Sequence, residues 1–384
     1  MRPAARVQAA IEILDEILEG APSERALTAW ARRSRFAGSK DRAAIRDHVY
    51  DVLRRRNSCA QVGGDLTGRA LMIGLLAIQE ADFEEIFSGH GYGPDPIGPD
   101  ETPNLAAVDG YDLPDWIVPE LRQTLGADFD AVEARLKERA PVILRCNLQK
   151  TDRTEAIDLL AQQGIATEPH PASDTALTVT QGARQIAQSE AYRTGLIELQ
   201  DASSQAAVES LPLKDGMRVL DYCAGGGGKL LAMAGRIKGS FFAHDAIPRR
   251  MQDIPARAKR AGIRARTVSQ ADLKSTAPFD LVFCDVPCSG SGSWRRDPDG
   301  KWRLTEQDFN DLLTLQGKIL REASQLVAPD GTLVYATCSM CHSENSAQVE
   351  AFLTAEPAWS LVQKTQWTPL QNCDGFFAAV LRKH

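Results

Sequence analysis

The chain has 384 residues, a formal net charge of −7, 43 % hydrophobic residues and 25 % charged residues. That length predicts two or three domains, and no run of about eighteen apolar residues offers a membrane span. Net acidity weighs against a nucleic-acid partner, but binding depends on local basic surface, and here residues 31–56 are rich in arginine while 81–138 are rich in acids. Met1 to Glu19 carries acids inside its apolar pattern, unlike a secretory signal. With that start, eight cysteines predict free thiols in a reducing cytoplasm.

Residues 1–80 read as a helical domain. Val7, Ile11, Leu14 and Leu18 fall at helical spacing, and a second amphipathic stretch from Lys40 to Arg56 puts Ile45, Val49 and Leu53 on one face. Arg42, Arg46, Arg54, Arg55 and Arg56 lie mostly off that face, either as a solvated surface or as an RNA contact. Residues 81–140 read as an acidic Gly/Pro-rich linker followed by short helices from Pro114 to Lys137. Residues 141–199 read as a small α+β domain: strands at Val142–Cys146, Ala176–Val179 and Leu196–Leu199, and a helix at Thr154–Gln163 capped by Thr151 or Asp152. In residues 200–384, strands at Val219–Tyr222, Ser240–Ala243, Leu281–Cys284 and Thr332–Tyr335 alternate with helical patterns such as Phe309–Leu326. That alternation predicts an α/β, doubly wound, mostly parallel sheet.

The first of those strands runs into Cys223, Ala224, Gly225, Gly226, Gly227, Gly228 and Lys229, then a helix. Glycines let a ligand approach the backbone beyond the strand ends. Leu230 follows Lys229, so the hydroxyl that a phosphate loop uses for magnesium is missing, and the glycine spacing is not that of a dinucleotide fingerprint. Asp245, Asp272 and Asp285 close the next three strands. A glycine turn alone can be a tight strand-to-helix link; with these acids it predicts a nucleoside-cofactor site. The expected contacts are residues 223–229, Asp245, Arg250, Asp272 and Asp285.

Cys288 and Cys338 follow two adjacent strands, in polar loops. Cys146 and Cys284 lie within apolar strands and read as core; a loop cysteine near a helix start is better placed to be a thiolate. Cys338 and Cys341 also form a CxxC. Its late position in the sheet fits a redox pair poorly, and zinc would need two further ligands, which Cys288 and His342 would have to supply. A thiolate that adds to carbon 6 of cytosine makes carbon 5 nucleophilic, so a methyltransferase has a use for such a thiol, on a base turned out of its stack.

At these motifs the chain resembles the Sun-type, RsmB-like RNA (cytosine-5) methyltransferases, in their bacterial 16S ribosomal RNA branch. The matching segments are 200–205, 223–229, 285–290 with 295–298 and 301–303, 335–339 with Glu344 and Asn345, and 374–377, within a resemblance from about Pro141 to the end. It implies a Rossmann-like methyltransferase domain binding S-adenosylmethionine, and an RNA-recognition-like module at 141–199. It implies Cys338 as nucleophile, Cys288 as the thiol assisting release of product, and Asp285 as a contact to the cytosine. More loosely, the start resembles a NusB-like domain, though shorter.

The family's cofactor loop usually reads Cys-Ala-Ala-Pro-Gly-Gly-Lys; Gly225 and Gly226 here replace the Ala-Pro pair, which predicts a looser turn and weaker cofactor binding. Arg295, Arg296, Lys301 and Arg303 are the expected RNA grip, with Trp302 stacking on a base or buried as core. The expected partner is ribosomal RNA, with transfer RNA as the alternative, and the expected state is a monomer without metal or membrane. A methyltransferase for protein or small molecules would have no use for Cys338. A non-catalytic RNA-binding or ribosome-assembly factor would have no use for either cysteine or for Asp285.

Overall fold

The computed structural model describes residues 1–384. They fall into two compact units, one of Met1–Val118, Glu133–Arg139 and Trp294–Arg303, the other of Pro119–Val132, Ala140–Ser293 and Leu304–His384.

The first unit is helical. Helices Pro3–Leu18, Ser23–Arg33, Ser39–Arg54, Arg56–Gly63 and Gly68–Ile78 follow one another. The expected stripes are its core: Val7, Ile11 and Leu14 pack with Ile45, Val49 and Leu53, all buried. Arg54 departs from its expected off-face position. It is buried, and its guanidinium donates to the Arg295 carbonyl at 2.9 and 3.2 Å. Residues 81–118 are not a bare linker either. They hold a short helix, Phe83–Ile86, and several single turns, and Asp112 is buried, accepting from the Ser58 amide and hydroxyl.

The second unit contains two sheets. The small one has β1 (Ile143–Cys146), β2 (Ala166–Pro169), β3 (Ala176–Gln181) and β4 (Ile197–Leu199) in the order β2-β3-β1-β4, all pairs antiparallel. Its helix Arg153–Gln162 is capped by Asp152, which accepts from the Glu155 amide at 2.9 Å.

The large sheet has β5 (Arg218–Asp221), β6 (Ser240–Ala243), β7 (Ala265–Thr267), β8 (Phe279–Asp285), β9 (Val327–Thr337), β10 (Trp359–Trp367) and β11 (Phe376–Lys383). The order is β10-β11-β9-β8-β5-β6-β7. β5 to β9 pair parallel, while β11 runs antiparallel to both neighbours. The middle strand β8 is buried from Leu281 to Cys284, as a strand with helices on both faces must be. The order reverses between β5 and β8, and a ligand crevice belongs beyond the carboxyl ends there. Asp221, Asp285 and Thr337 end the strands at that edge.

Candidate active site

The glycine loop leaves β5 as a tight turn. The Ala224 amide donates to the His244 carbonyl at 2.8 Å, and the Gly227 amide to Ala224 at 2.7 Å. Gly225 and Gly227 have φ of +48° and +80°, where a side chain is strained. Three side chains grip the loop. Asp245 accepts from the Gly225 amide at 2.9 Å and pairs with Arg250 at 3.2 Å. Arg257 donates to the Gly226 carbonyl, and Arg145, from β1, to the Gly228 carbonyl at 2.7 Å. A Cβ on Gly226 would stand 2.9 Å from the Arg257 guanidinium, so the missing proline and the Arg257 contact go together. The turn expected to be loose is held from outside, by Asp245, expected as a cofactor contact, and by Arg257 and Arg145, which nothing in the sequence marks. The composition of the loop carries no signal of that support, since Arg257 is 31 residues away.

The loop suits a nucleoside cofactor. No side chain longer than a methyl projects from residues 224–228. The buried Asp221 has one carboxylate oxygen, Oδ1, with no partner, and burial followed by the nearby Asp285 pushes its carboxyl up to about 7. Beside Asp245, Ile247 is 57 % exposed, an apolar surface ready for a flat base. Asp272 is exposed and accepts from Ser269 at 2.6 Å.

At the ends of β8 and β9 the two cysteines meet: Cys288 Sγ and Cys338 Sγ are 3.3 Å apart, with no bond between them. The hydrogen bond from Cys288 holds the Cys338 thiol below its ordinary range against burial, and Lys229 nearby lowers it further. The same hydrogen bond and then burial push Cys288 well up. The two shifts oppose each other, Cys338 downward and Cys288 upward. Burial would lower the Lys229 ammonium, but its ion pair with Asp285 outweighs this and raises it. Cys341 is buried, its thiol pushed up to about 12 by burial, and no group of three or more potential ligands gathers around it for a metal.

Both cysteine loops hang on one buried carboxylate. Glu344 accepts from the Ser289 amide at 2.8 Å and from the hydroxyls of Ser289 and Ser339. Gln316 donates to it at 2.9 Å, and to the Pro287 carbonyl at 2.9 Å. The loops also touch the closing motif: the Gly375 amide donates to Gly292 at 2.9 Å, and a Cβ on Gly292 would lie 2.0 Å from the Gly375 carbonyl. Glu344 stood in the sequence as a matching letter only. Its role follows from the serines that succeed each cysteine, a pattern visible only once the loops are adjacent.

The basic segment 295–303 belongs elsewhere. Lys301 is 1 % exposed in the helical unit, donating to the Arg54 and Asp112 carbonyls at 3.0 and 2.6 Å. Trp302 donates from its indole to Leu53 at 2.7 Å and stacks under Arg56. Arg295 is buried as well. Lys301 and Arg295 are corrected from RNA contacts to internal positions and Trp302 takes the internal one of its two expected places: backbone carbonyls take up the Lys301 and Trp302 donors, and the Arg295 side chain is buried. Arg296 and Arg303 stay exposed.

A family model described as 16S rRNA methyltransferase RsmB/F matches residues 208–382, and one described as an RsmF/B-like ferredoxin-like domain matches 113–185. The ribosomal RNA small subunit methyltransferase B of Cronobacter sakazakii is 34 % identical over 297 residues, covering 73 % of this chain and 69 % of that protein. The chain belongs to the RsmB/F family. The enzyme of the same description from Yersinia pestis is 31 % identical, covering 71 % of this chain and 67 % of its own length. A crystal structure titled PH0851 superposes with a TM-score of 0.76 at 23 % identity, over 100 % of this chain and 99 % of that one, a likeness of fold alone. As an RsmB/F member the protein is an RNA methyltransferase, and its methyl donor is S-adenosylmethionine.

Proposed function

We propose that the protein methylates carbon 5 of a cytosine in the RNA of the small ribosomal subunit, through a covalent bond between Cys338 and carbon 6. The observation that carries this is the 3.3 Å approach of Cys338 to Cys288 at the ends of two adjacent strands. A plain methyltransferase site needs no such pair. The relatives named as small-subunit enzymes support the choice of RNA.

The residues divide the work as follows. The glycine loop 223–229, with Asp245 and Arg250, holds S-adenosylmethionine, and Asp272 lies at the adenine side. The cofactor supplies an electrophilic methyl group on a sulfonium. The Cys338 thiolate adds to carbon 6 of the cytosine, opening the 5,6 double bond and moving its electron pair toward N3 and carbon 5. Asp285, fixed by Lys229, accepts from the amino group of the cytosine edge, and the Lys229 ammonium that it holds offsets the negative charge. Carbon 5 takes the methyl group and then carries both methyl and proton. Once Cys338 Sγ is a thioether its negative charge is gone, and with it the main reason for the high proton affinity of Cys288. Cys288 can then release its thiol proton to solvent, and the thiolate so formed takes the carbon 5 proton while the electron pair of that C–H bond re-forms the 5,6 double bond and expels Cys338 as a thiolate.

The test is transfer of labelled methyl from S-adenosylmethionine to deproteinised 16S ribosomal RNA and to transfer RNA, followed by bisulfite sequencing. One protected cytosine in the 16S RNA is the expected result. Label that resists base digestion to 5-methylcytosine, or that enters transfer RNA alone, contradicts the proposal.

A further inference from the structure

The cofactor loop contains four consecutive glycines, Gly225 to Gly228, and glycine has more backbone freedom to lose than any other residue. A turn of this composition keeps one shape only if something outside it holds it. Arg257, on the helix Ile254–Ala261, does so from one side. One end of its guanidinium, Nη1, donates to the Gly226 carbonyl. The other end, Nη2, donates to Glu198 at 3.0 Å. The guanidinium is a rigid planar fork, so anchoring one nitrogen sets the direction of the other.

Glu198 lies in the middle of β4, in the small sheet, and is 4 % exposed. A carboxylate that deep is costly unless it is paired. Its second oxygen accepts from Arg260, one turn further along the same helix. Directly across from Glu198 on β1, Arg145 donates to the Gln200 side chain and to the Gly228 carbonyl at 2.7 Å, so that second hold on the loop has an anchor of its own. The end of the helix is tied to the small sheet separately. Asn147 donates to the Ala261 carbonyl at 2.8 Å, and Lys150 to the Arg260 carbonyl at 2.6 Å. Loss of the Glu198 charge would therefore release the Arg257 side chain while the helix stays in place.

We infer that Glu198 is a positioning residue for S-adenosylmethionine: from the small sheet it holds Arg257 on the Gly226 carbonyl and so fixes the loop that receives the cofactor. Glu198 touches no part of the loop and acts through Arg257. Gly226 and Arg257 fit as a pair, since a Cβ on the glycine would stand 2.9 Å from the guanidinium. If Glu198 only tied the helix to the sheet, Arg260 would matter as much. Arg260 shares the carboxylate but stacks on Tyr192, its guanidinium carbon 4.6 Å from the ring centre. The inference rests on the proposed place of the cofactor at residues 223–229.

The test is calorimetric titration of the full chain with S-adenosylmethionine, with thermal melting as a control on the fold. Glu198→Gln should raise the Kd about tenfold, as for one hydrogen bond to a charged group, and Glu198→Asp, which keeps the charge on a shorter stem, should recover part of the loss. Glu198→Gln added to Arg257→Ala should cost nothing beyond Arg257→Ala alone, because coupled residues are not additive. Arg260→Ala should leave the Kd unchanged. Should Glu198→Gln fail to fold, the same cycle is run with Glu198→Asp, which should raise the Kd severalfold. Losses that multiply in the double variant, or an equal loss in Arg260→Ala, overturn the inference. So does a folded Glu198→Gln with the wild-type Kd. Asp245→Ala in the same series separates the two failures: weakened binding there beside an unchanged Glu198→Gln sinks this inference alone, whereas no change in either sinks the placement of the cofactor as well.

Discussion

Two neighbouring stretches make the sharpest contrast in this molecule. Residues 285–293 and 294–303 are contiguous, both polar and both part of the family resemblance, yet they serve different ends. The first stays at the tip of β8 and offers Cys288 to Cys338. The second joins the helical unit, where Lys301 and Trp302 are spent on backbone carbonyls. A polar residue is available for chemistry only when its partners leave an atom free. The Cys338 thiol is held below its ordinary range by the neighbouring Cys288, whereas Lys301 is occupied by two backbone carbonyls.

The contrast can be broken at either end. The largest expected effect is at Glu344, the carboxylate under both cysteine loops. Glu344→Gln places an amide donor against groups that already donate, so the thiols move apart. kcat should fall about a hundredfold, as for a displacement of roughly an ångström at reacting groups, with S-adenosylmethionine affinity unchanged. An equal fall in cofactor affinity would mean that Glu344 only supports the fold.

Lys301→Met should spare the chemistry and cost stability instead, about 2 kcal/mol for the two carbonyls left without donors, read by denaturant unfolding. Burial holds the Lys301 amine down at about 7, against about 10.4 in an unfolded chain. Between those values the unfolded chain binds more protons than the folded one, so this group makes stability rise with pH from about 7 to about 10. The Met variant should lose that part of the slope. A variant of normal stability with weakened RNA binding would return Lys301 to the RNA surface.

The sequence was most legible where periodicity and burial agree. The helical stripes of Val7, Ile11 and Leu14 and of Ile45, Val49 and Leu53 are core, and β6 runs from Ser240 to Ala243 as expected. The pairing of Cys288 with Cys338 was legible because strand ends on neighbouring strands must lie close. Edge strand β2 was missed, since Ala166–Pro169 is polar, half-exposed and ends in proline. So was β10, an edge strand with a register irregularity between Leu361 and Gln363 and exposed polar residues on much of its length. Buried Arg54 and Lys301 were misread because charged side chains are almost always outside unless specific partners call them in. Those partners are carbonyls, which leave no trace in side-chain composition.

Two smaller effects sharpen the account of the cofactor loop and the thiols. Arg257→Ala removes the hold on the Gly226 carbonyl and should raise the Kd for S-adenosylmethionine roughly tenfold by calorimetry, about one charge-assisted hydrogen bond. Arg257→Lys should recover part of it, and an unchanged Kd would show that the glycine loop needs no such support. Cys288→Ala should move the pH at which Cys338 is alkylated by iodoacetamide toward higher pH, because the donor that lowers the Cys338 thiol is lost. A titration that stays in place would assign that lowering to Lys229 alone.

The division of labour between the two cysteines is the central claim, and denaturing electrophoresis of protein mixed with 16S RNA and S-adenosylmethionine tests it most directly. Cys288→Ala should attack and methylate but stall at release, leaving a covalent protein–RNA band. Cys338→Ser, whose hydroxyl is a far weaker nucleophile than a thiolate, should give neither band nor product. A band that accumulates in Cys338→Ser and is absent in Cys288→Ala would contradict the account.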